Sequence, residues 1–362
     1  MINRSYDFGR LPSSVQNQDL LPNSDLKPEE TNSFEIGAEM SFLSNLLSLN
    51  FNYYKVNTKN QIFQAPISEA SGFNAELINA GEIENEGVEG LVTVNPLQGE
   101  FNWTMTLNYS RNRNRVVSLA EGVESLVLFE DERRTIEARP GDNLFVLYGL
   151  GLQRTENGSV IYQDGLPLLS SSAQRIGRVT PNWTSGISNQ FSYKQFSLGV
   201  LIDYRNGGIV SSLTNALLYR AGNNTESLVG RDVGITGEGV VVGSDGSTSP
   251  NEENVSARAF YQSFYNRSNI ETNAFDATYL KIREISLSVN MTEWIENKWI
   301  DNMRLTLFAR NILAWTKSEN LRHFDPEISL IDASNGRIIP GLESAQLPGT
   351  ATFGFNLNIR IK

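Results

Sequence analysis

The residues best suited to chemistry lie in one short stretch near the C-terminal end. His323 is the only histidine, and Asp325 and Glu327 follow it at alternate positions. A single histidine cannot form a metal site built on several imidazoles, and no motif marks a serine or threonine nucleophile that it would activate. Two carboxylates with backbone carbonyls can bind calcium, but the usual twelve-residue calcium loop is missing. The stretch therefore favours a solvated turn set by Pro326 over a calcium site.

Two other stretches carry weaker chemical signals. The glycine-rich stretch 237–243 lacks the lysine followed by serine or threonine of a phosphate-binding loop, and a hairpin turning at 245–246 explains it better. The acidic run 130–132, followed by two arginines, is typical of a solvated loop face, although it also suits contact with another subunit. We therefore predict that the chain is not an enzyme and uses no cofactor and no metal.

Three arginines are better candidates for binding. Arg205, Arg283 and Arg310 fall on the polar faces of predicted strands. A guanidinium there can donate hydrogen bonds to the hydroxyls or carboxylates of a substrate, or it can pair with carboxylates of the protein itself. Together with His323 and Asp325, these arginines form the predicted set of substrate-binding residues.

Alternation with period two is the strongest signal in the elements that carry these residues. From Phe101 to Tyr109 every second residue is apolar or aromatic, and the residues between are asparagine and threonine. Because successive side chains of a strand point to opposite faces, each such stretch has one apolar and one polar face. The same pattern predicts nine strands, at 34–42, 47–54, 81–94, 101–110, 183–193, 196–205, 279–290, 303–314 and 353–361.

One strand is out of phase, and the connections follow a rule. Leu280 and Ile282 do not alternate in step with Ile285, which predicts a bulge near Arg283 and Glu284.

Connections alternate short and long through all nine strands, so short turns lie at one end of the sheet and long loops at the other. This asymmetry favours an outer-membrane barrel with short periplasmic turns and long extracellular loops over a soluble sandwich. A polar face of asparagine, serine and threonine suits a wet lumen. Aromatic residues near strand ends suit interfacial girdles; they are Tyr53, Phe101, Trp103, Tyr109, Trp183, Tyr193, Phe196 and Tyr204.

Composition agrees with this class. The chain has 362 residues, no cysteine, a net charge of −11 and no apolar run long enough for a helical membrane span. The net negative charge argues against nucleic acid as a partner. Residues 1–27 are polar and predict an irregular segment without a signal peptide, and residues 28–362 predict one continuous barrel region. The fold class is therefore all-β, as a segment of an antiparallel transmembrane β-barrel.

Several stretches resemble one family in order and spacing. The sequence is similar to TonB-dependent transporters, specifically the SusC/RagA-type outer-membrane receptors of Bacteroidetes. The matching stretches are 26–29 (LKPE) with 34–37 (FEIG), 79–89 (NAGEIENEGVE), 279–287 (YLKIREISL), 310–313 (RNIL) with 315–316 (WT), and 325–327 (DPE). In the third stretch the usual following aromatic is replaced by Val289, and the chain ends on Ile361 and Lys362 rather than on the usual aromatic.

The resemblance implies a barrel of about 22 strands with a plug domain, a TonB box and a surface lipoprotein lid of the SusD type. Nine predicted strands cannot close such a barrel, so we expect the chain to be the C-terminal part of the barrel, without plug and early strands. The resemblance further implies import of an oligosaccharide or peptide, contact with outer-membrane lipid, coupling to TonB through the plug, and a periplasmic C-terminus in the outer membrane. Two alternatives stay open, a non-transporting structural or adhesive outer-membrane protein and a soluble sheet protein that binds glycans.

Overall fold

One antiparallel sheet of nine strands forms the wall of the molecule, and chain order is also spatial order. The computed structural model describes residues 18–67, 69–79, 81–295, 299–319, 324–331, 336, 338–347 and 349–361. The wall strands are β1 (Glu30–Phe42), β2 (Leu47–Lys59), β3 (Gly81–Leu97), β4 (Phe101–Leu119), β5 (Trp183–Tyr193), β6 (Phe196–Asn206), β7 (Tyr279–Asn290), β8 (Ile300–Thr316) and β9 (Thr352–Ile361).

The nine predicted strands are confirmed, and several are longer than the alternation indicates. β4, for example, continues to Leu119 beyond its predicted end at residue 110. Within the described residues β1 and β9 are the two edges of the sheet and do not pair with each other, so the wall is an open part of a barrel.

The two faces of the wall differ in chemistry, as the alternation predicts. On one face apolar side chains are bare, with Phe353 and Phe355 each 72% exposed. The opposite face carries carboxylates, amides and hydroxyls, such as Glu35, Asn52 and Asn108. We call these the apolar face and the polar face. A sheet with this much bare apolar surface requires an apolar environment on that side.

The predicted bulge is confirmed. Pairing of β6 with β7 runs from Leu201 with Glu284 directly to Ile202 with Ile282, so Arg283 has no partner there. Pairing of β7 with β8 shifts at the same point. The extra residue returns Ile282 to the phase of Ile285, which keeps the apolar face continuous across the strand.

The short connections are tight turns, which the sequence also predicts. Between β1 and β2, Leu43, Ser44 and Asn45 all have positive φ, and between β5 and β6 Lys194 does. Such φ values are uncommon outside glycine and mark tight reversals of the chain.

The long connections are not open loops but fold into a layer above the wall, which we call the cap. It consists of the described residues in the connections 60–80, 120–182, 207–278 and 317–351. Its buried apolar cluster includes Leu147, Ile136 and Leu342, each at most 1% exposed. The hydrophobic core of the molecule therefore lies in the cap. The cap strands are Ile62–Pro66, Phe73–Asn79, Leu126–Glu130, Arg134–Ala138, Val146–Gly149, Tyr162–Gln163, Leu166–Pro167, Gln174–Arg178, Ile209–Ser212, Ile235–Thr236, Val240–Val242, Thr248–Pro250, Asn254–Val255, Ala274–Asp276, Ser329–Ile331, Ile338–Pro340 and Leu342–Glu343.

Two short α-helices lie in the cap, and the sequence did not predict them. Helix α1 (Leu213–Ala221) has Ser212 as its N-terminal capping residue and ends at Gly222, whose φ of 71° is left-handed. Helix α2 (Ala257–Phe264) begins at Ser256, whose hydroxyl accepts a hydrogen bond from the Ala259 amide. Short 3₁₀ turns are Glu69–Ser71, Thr225–Leu228 and Thr292–Trp294. No helix in the described part of the chain has the length and apolar character to cross a membrane.

Two local predictions concern loops and the N-terminal segment. Asp164 and Gly165 both have positive φ and join the strands Tyr162–Gln163 and Leu166–Pro167 in a tight hairpin. The hairpin predicted around residue 245 joins Val240–Val242 to Thr248–Pro250. In the predicted irregular segment 1–27, residues 1–17 lie outside the described residues, and Gln18–Leu21 forms a short strand parallel to Phe73–Asn79.

Candidate functional site

The polar face holds a groove of about 670 Å³ across the first four wall strands. Glu35 and Glu89 bring carboxylates to it, and Asn52 and Asn108 bring amides. Asn52 Nδ2 donates to Glu35 Oε1 over 2.6 Å, while the buried Oδ1 atom of Asn52 accepts no hydrogen bond from any residue that the structure describes. The groove therefore offers acceptors to the hydroxyls or amides of a ligand.

Hydroxyl pairs extend this surface along the wall. Thr93 and Thr106 lie 3.3 Å apart between β3 and β4, and Ser288 and Thr306 lie 2.8 Å apart between β7 and β8. Each hydroxyl can donate or accept a hydrogen bond, so these pairs add both donors and acceptors to the polar face.

Where the wall meets the cap, charged side chains form what we call the ion cluster. Lys281 Nζ lies 2.5 Å from Asp325 Oδ1 and 2.6 Å from Glu327 Oε2. Arg283 Nε lies 2.6 Å from Asp203 Oδ2, and the same guanidinium donates to Glu327. The Tyr279 hydroxyl also donates to Glu327. This cluster ties the connection 317–351 to β6 and β7.

Glu327 is the centre of the cluster. Burial alone would raise the pKa of its carboxyl, but hydrogen bonds from Arg283, Lys281 and Tyr279 outweigh burial and lower the pKa to about 2. The carboxylate is therefore ionised at every physiological pH.

The structure brings two of the predicted binding residues together and separates two others. Arg283 and Asp325 both belong to the ion cluster. Arg205 Nη2 instead donates to the Val179 carbonyl over 2.7 Å. Arg310 Nε pairs with Glu284 Oε2 at 2.7 Å. His323 lies outside the described residues.

Sequence reasoning missed Tyr279, Lys281 and Asp203 as members of the cluster. A signal was present, because Tyr279, Lys281 and Arg283 alternate along β7 and so share the polar face. Asp325 and Glu327 are engaged by cations of the wall, and the described residues contain no group of three or more potential metal ligands.

In the acidic run 130–132, Glu130 and Glu132 are exposed, as predicted for a solvated loop face, and Asp131 is half-buried. Arg134, which follows it, is only 7% exposed and pairs with Asp131 at 3.0 Å. Its Nη1 atom donates to the Ser211 hydroxyl over 2.8 Å. This segment therefore connects two parts of the cap.

A second pocket of about 710 Å³ lies in the cap between α1 and α2. Tyr219 and Tyr261 line it, and Tyr219 also stacks on Tyr265 with 3.6 Å between ring centroids. Burial raises the pKa of Tyr219, as does its hydrogen bond to Glu226, so the phenol stays neutral. Arg220 and Arg258 lie at the rim, which makes the pocket aromatic and cationic.

Comparison with known proteins finds similarity to TonB-dependent receptors. The model of the TonB dependent receptor-like β-barrel matches residues 3–135. TonB-dependent receptor P3 of Formosa agariphila is 25% identical over 371 residues, which cover 93% of this chain and 35% of that protein. TonB-dependent receptor SusC of Bacteroides thetaiotaomicron is 28% identical over 105 residues, or 28% of this chain and 10% of that protein.

A solved structure agrees on the fold. The RagAB peptide transporter superposes with a TM-score of 0.71 at 20% identity, over 99% of this chain and 38% of that chain. The chain spans about a third of the length of the curated relatives that it matches over most of its own length. With two chemically distinct faces, a cap at one end and these matches, the chain has the fold of part of a TonB-dependent receptor β-barrel and is similar in sequence to receptors of this kind, SusC among them.

Proposed function

We propose that the chain forms barrel wall and substrate-facing loops of an outer-membrane importer for an oligosaccharide or a peptide. The observation that carries the proposal is the polar groove on a wall whose other face is bare and apolar. Water on one side and lipid on the other is the arrangement that this pair of faces requires. The cap then lies outside the cell, and the C-terminus faces the periplasm.

The residues of the groove and cap suggest how a substrate would be handled. Carboxylates, amides and hydroxyls on the polar face accept and donate hydrogen bonds to sugar hydroxyls or peptide amides, in many weak contacts rather than one strong one. A substrate held weakly at many points can move along the wall. Energy would come from TonB acting on a plug, and a lid lipoprotein of the SusD type would close over the cap.

The predicted binding residues keep a place in this proposal. Arg283 and Asp325, fixed by the ion cluster, would shape the passage between wall and cap, and Arg310 would face the lumen beside Glu284. Arg205 would hold in place the residue that follows the cap strand Gln174–Arg178, through the carbonyl of Val179. His323 remains a predicted substrate contact.

Uptake by living cells tests the proposal. Radiolabelled oligosaccharides and peptides are offered to cells with the gene, without it, and with the gene restored. We expect accumulation inside cells that carry the gene, lost when the proton gradient is collapsed. Ligand that stays at the surface in energised cells would instead favour the adhesive alternative.

A further inference from the structure

The apolar face of β4 changes abruptly into a row of arginines. Phe101, Trp103, Met105, Leu107 and Tyr109 are followed at the same alternate positions by Arg111, Arg113 and Arg115, all three exposed. Pairing of β3 with β4 has no register shift over this stretch, so the arginines lie on the same face as the apolar residues. We call them the arginine stripe.

An aromatic band marks the level at which the change occurs. The rings of Tyr109 and Trp183 lie 5.5 Å apart, and those of Trp183 and Tyr204 lie 4.9 Å apart. A second band near the short turns contains the stacked rings of Trp103 and Phe191. From Phe101 to Tyr109 the strand rises about 26 Å, or about 20 Å across a membrane at the usual tilt. The stripe therefore begins where hydrocarbon ends and lipid headgroups begin.

Within the described residues, no carboxylate forms an ion pair with the arginine stripe. The residues opposite Arg113 and Arg115 on β3 are Glu86 and Glu84. Glu84, however, pairs with Lys55 at 2.8 Å, and Glu86 accepts a hydrogen bond from a tyrosine hydroxyl. In the described part of the chain, neither carboxylate forms an ion pair with the stripe.

A fourth arginine adds to the positive charge. Arg178, at the end of the cap strand Gln174–Arg178, has its pKa lowered by burial and by the nearby guanidiniums of Arg113, Arg175 and Arg111. Asp142, an acid that acts on Arg178 in the opposite direction, is held by Arg175 through two hydrogen bonds of 2.6 and 3.0 Å. Like charges gathered in this way, in a chain of net charge −11, favour binding of an external anion.

We propose that the arginine stripe, together with Arg178, binds the phosphate groups of an anionic lipid in the leaflet on the cap side of the membrane. Guanidinium groups bind phosphate oxygens through paired hydrogen bonds, and basic clusters at a membrane surface attract anionic headgroups. A headgroup is favoured over a free phosphate because the stripe is an open row in line with lipid-facing side chains rather than a pocket. The inference rests on the membrane placement in the proposed function, but not on transport.

Retention of lipid by the purified protein tests this directly. The protein is extracted from outer membranes in mild detergent, mixed with diphosphoryl lipid A or with its dephosphorylated form, and bound lipid is counted by native mass spectrometry. We expect the phosphorylated lipid to be retained at least about tenfold better, because the dephosphorylated form cannot accept the charge-assisted hydrogen bonds. Equal retention of the two lipids would overturn the inference without the need for any variant.

Variants then locate the site. The triple change Arg111→Gln, Arg113→Gln and Arg115→Gln is expected to reduce retention of the phosphorylated lipid roughly tenfold or more. The matched control Arg220→Gln, Arg258→Gln and Arg267→Gln removes the same amount of charge from the cap. This control is expected to bind the phosphorylated lipid as well as the wild-type protein does. A triple Arg→Lys change of the stripe keeps the charge and should lose less than the glutamine variant. An unheated gel shows whether the glutamine variant is folded. If the folded variant retains the phosphorylated lipid fully, the assignment is contradicted.

Two further measurements distinguish lipid binding from the binding of free phosphate and from membrane placement alone. Equilibrium dialysis with inorganic phosphate alone is expected to show no binding at the stripe, and phosphate bound as tightly as the lipid would overturn the lipid assignment. Fractionation of cells tests membrane placement itself. If the protein is in the outer membrane and does not retain phosphorylated lipid, the inference fails while the proposed function stands.

Discussion

At the scale of single residues, the ion cluster is the most sharply defined contact between wall and cap. Glu327 meets Lys281, Arg283 and Tyr279, and its side chain is only 31% exposed. Loss of the Glu327 charge leaves Lys281 with Asp325 alone and Arg283 with Asp203 alone. Because Lys281 is only 7% exposed, this costs more than the loss of an exposed pair.

We predict that Glu327→Gln loosens the connection 317–351 by roughly 1–3 kcal/mol, after allowance for partial solvent screening. Hydrogen exchange at 324–331, followed by mass spectrometry, should show faster exchange there and little change in the wall. Glu284→Gln is the matched control, because Glu284 pairs with the largely exposed Arg310 and should contribute at most about 1 kcal/mol. Equal effects of the two changes would contradict the prediction that Glu327 contributes more to cap docking than Glu284 does.

The same carboxylate predicts a pH dependence with a definite sign. The pKa of Glu327 is about 2 in the folded protein, against an ordinary value of 4.5. Its contribution to cap docking is therefore complete above about pH 4.5 and is lost as the pH falls toward 2. Protection of 324–331 from exchange should decrease through this window in the wild-type protein. Glu327→Gln should remove that part of the decrease.

At the scale of elements, the two-sidedness of β4 is open to direct test because the chain has no cysteine. Asn108→Cys places a thiol on the polar face and Leu107→Cys places one on the apolar face, next to each other along the strand. We predict that a charged, membrane-impermeant maleimide modifies Cys at 108 and not at 107 in intact membranes. Modification of both to the same extent would contradict the assignment of faces.

A charge on the apolar face should be costly for the same reason. We predict that Leu107→Arg, near the middle of the apolar face, destabilises the folded barrel by roughly 2–4 kcal/mol. Asn108→Arg, on the polar face, should change stability much less. Urea unfolding of the protein in lipid vesicles measures both, and a similar loss in the two variants would argue against lipid on the apolar face.

The wall could be predicted from sequence to a much greater extent than the cap. Alternation along β4 and the phase error at Arg283 are local signals, and a strand shows them whatever it pairs with. Helix α1 has only nine residues, and its amphipathic signal is correspondingly short. Asp203, Lys281 and Glu327 come together only because the fold brings three distant segments into contact. No local sequence pattern predicts that contact.

At the scale of the whole molecule, wall and cap are stabilised in different ways. The wall has its apolar side chains bare and depends on its surroundings, whereas the cap buries Leu147, Ile136 and Leu342 within the protein. Strand pairing, in contrast, runs without interruption from β1 to β9 in the described residues. The cap should therefore be able to loosen while the wall stays intact, which is a useful property for loops that must admit a substrate.

Leu147→Ala tests this independence. Leu147 is fully buried in the cap strand Val146–Gly149, so the change should leave a cavity that costs the cap about 2–5 kcal/mol. We expect proteases added outside to cut within 120–182 far faster than in the wild-type protein. The mobility of the folded barrel, in samples that are loaded on a gel without heating, should be unchanged. Leu357→Ala on the apolar face is the matched control and should leave the cap resistant. Joint loss of cap protection and barrel mobility on the gel would show instead that cap and wall unfold as one unit.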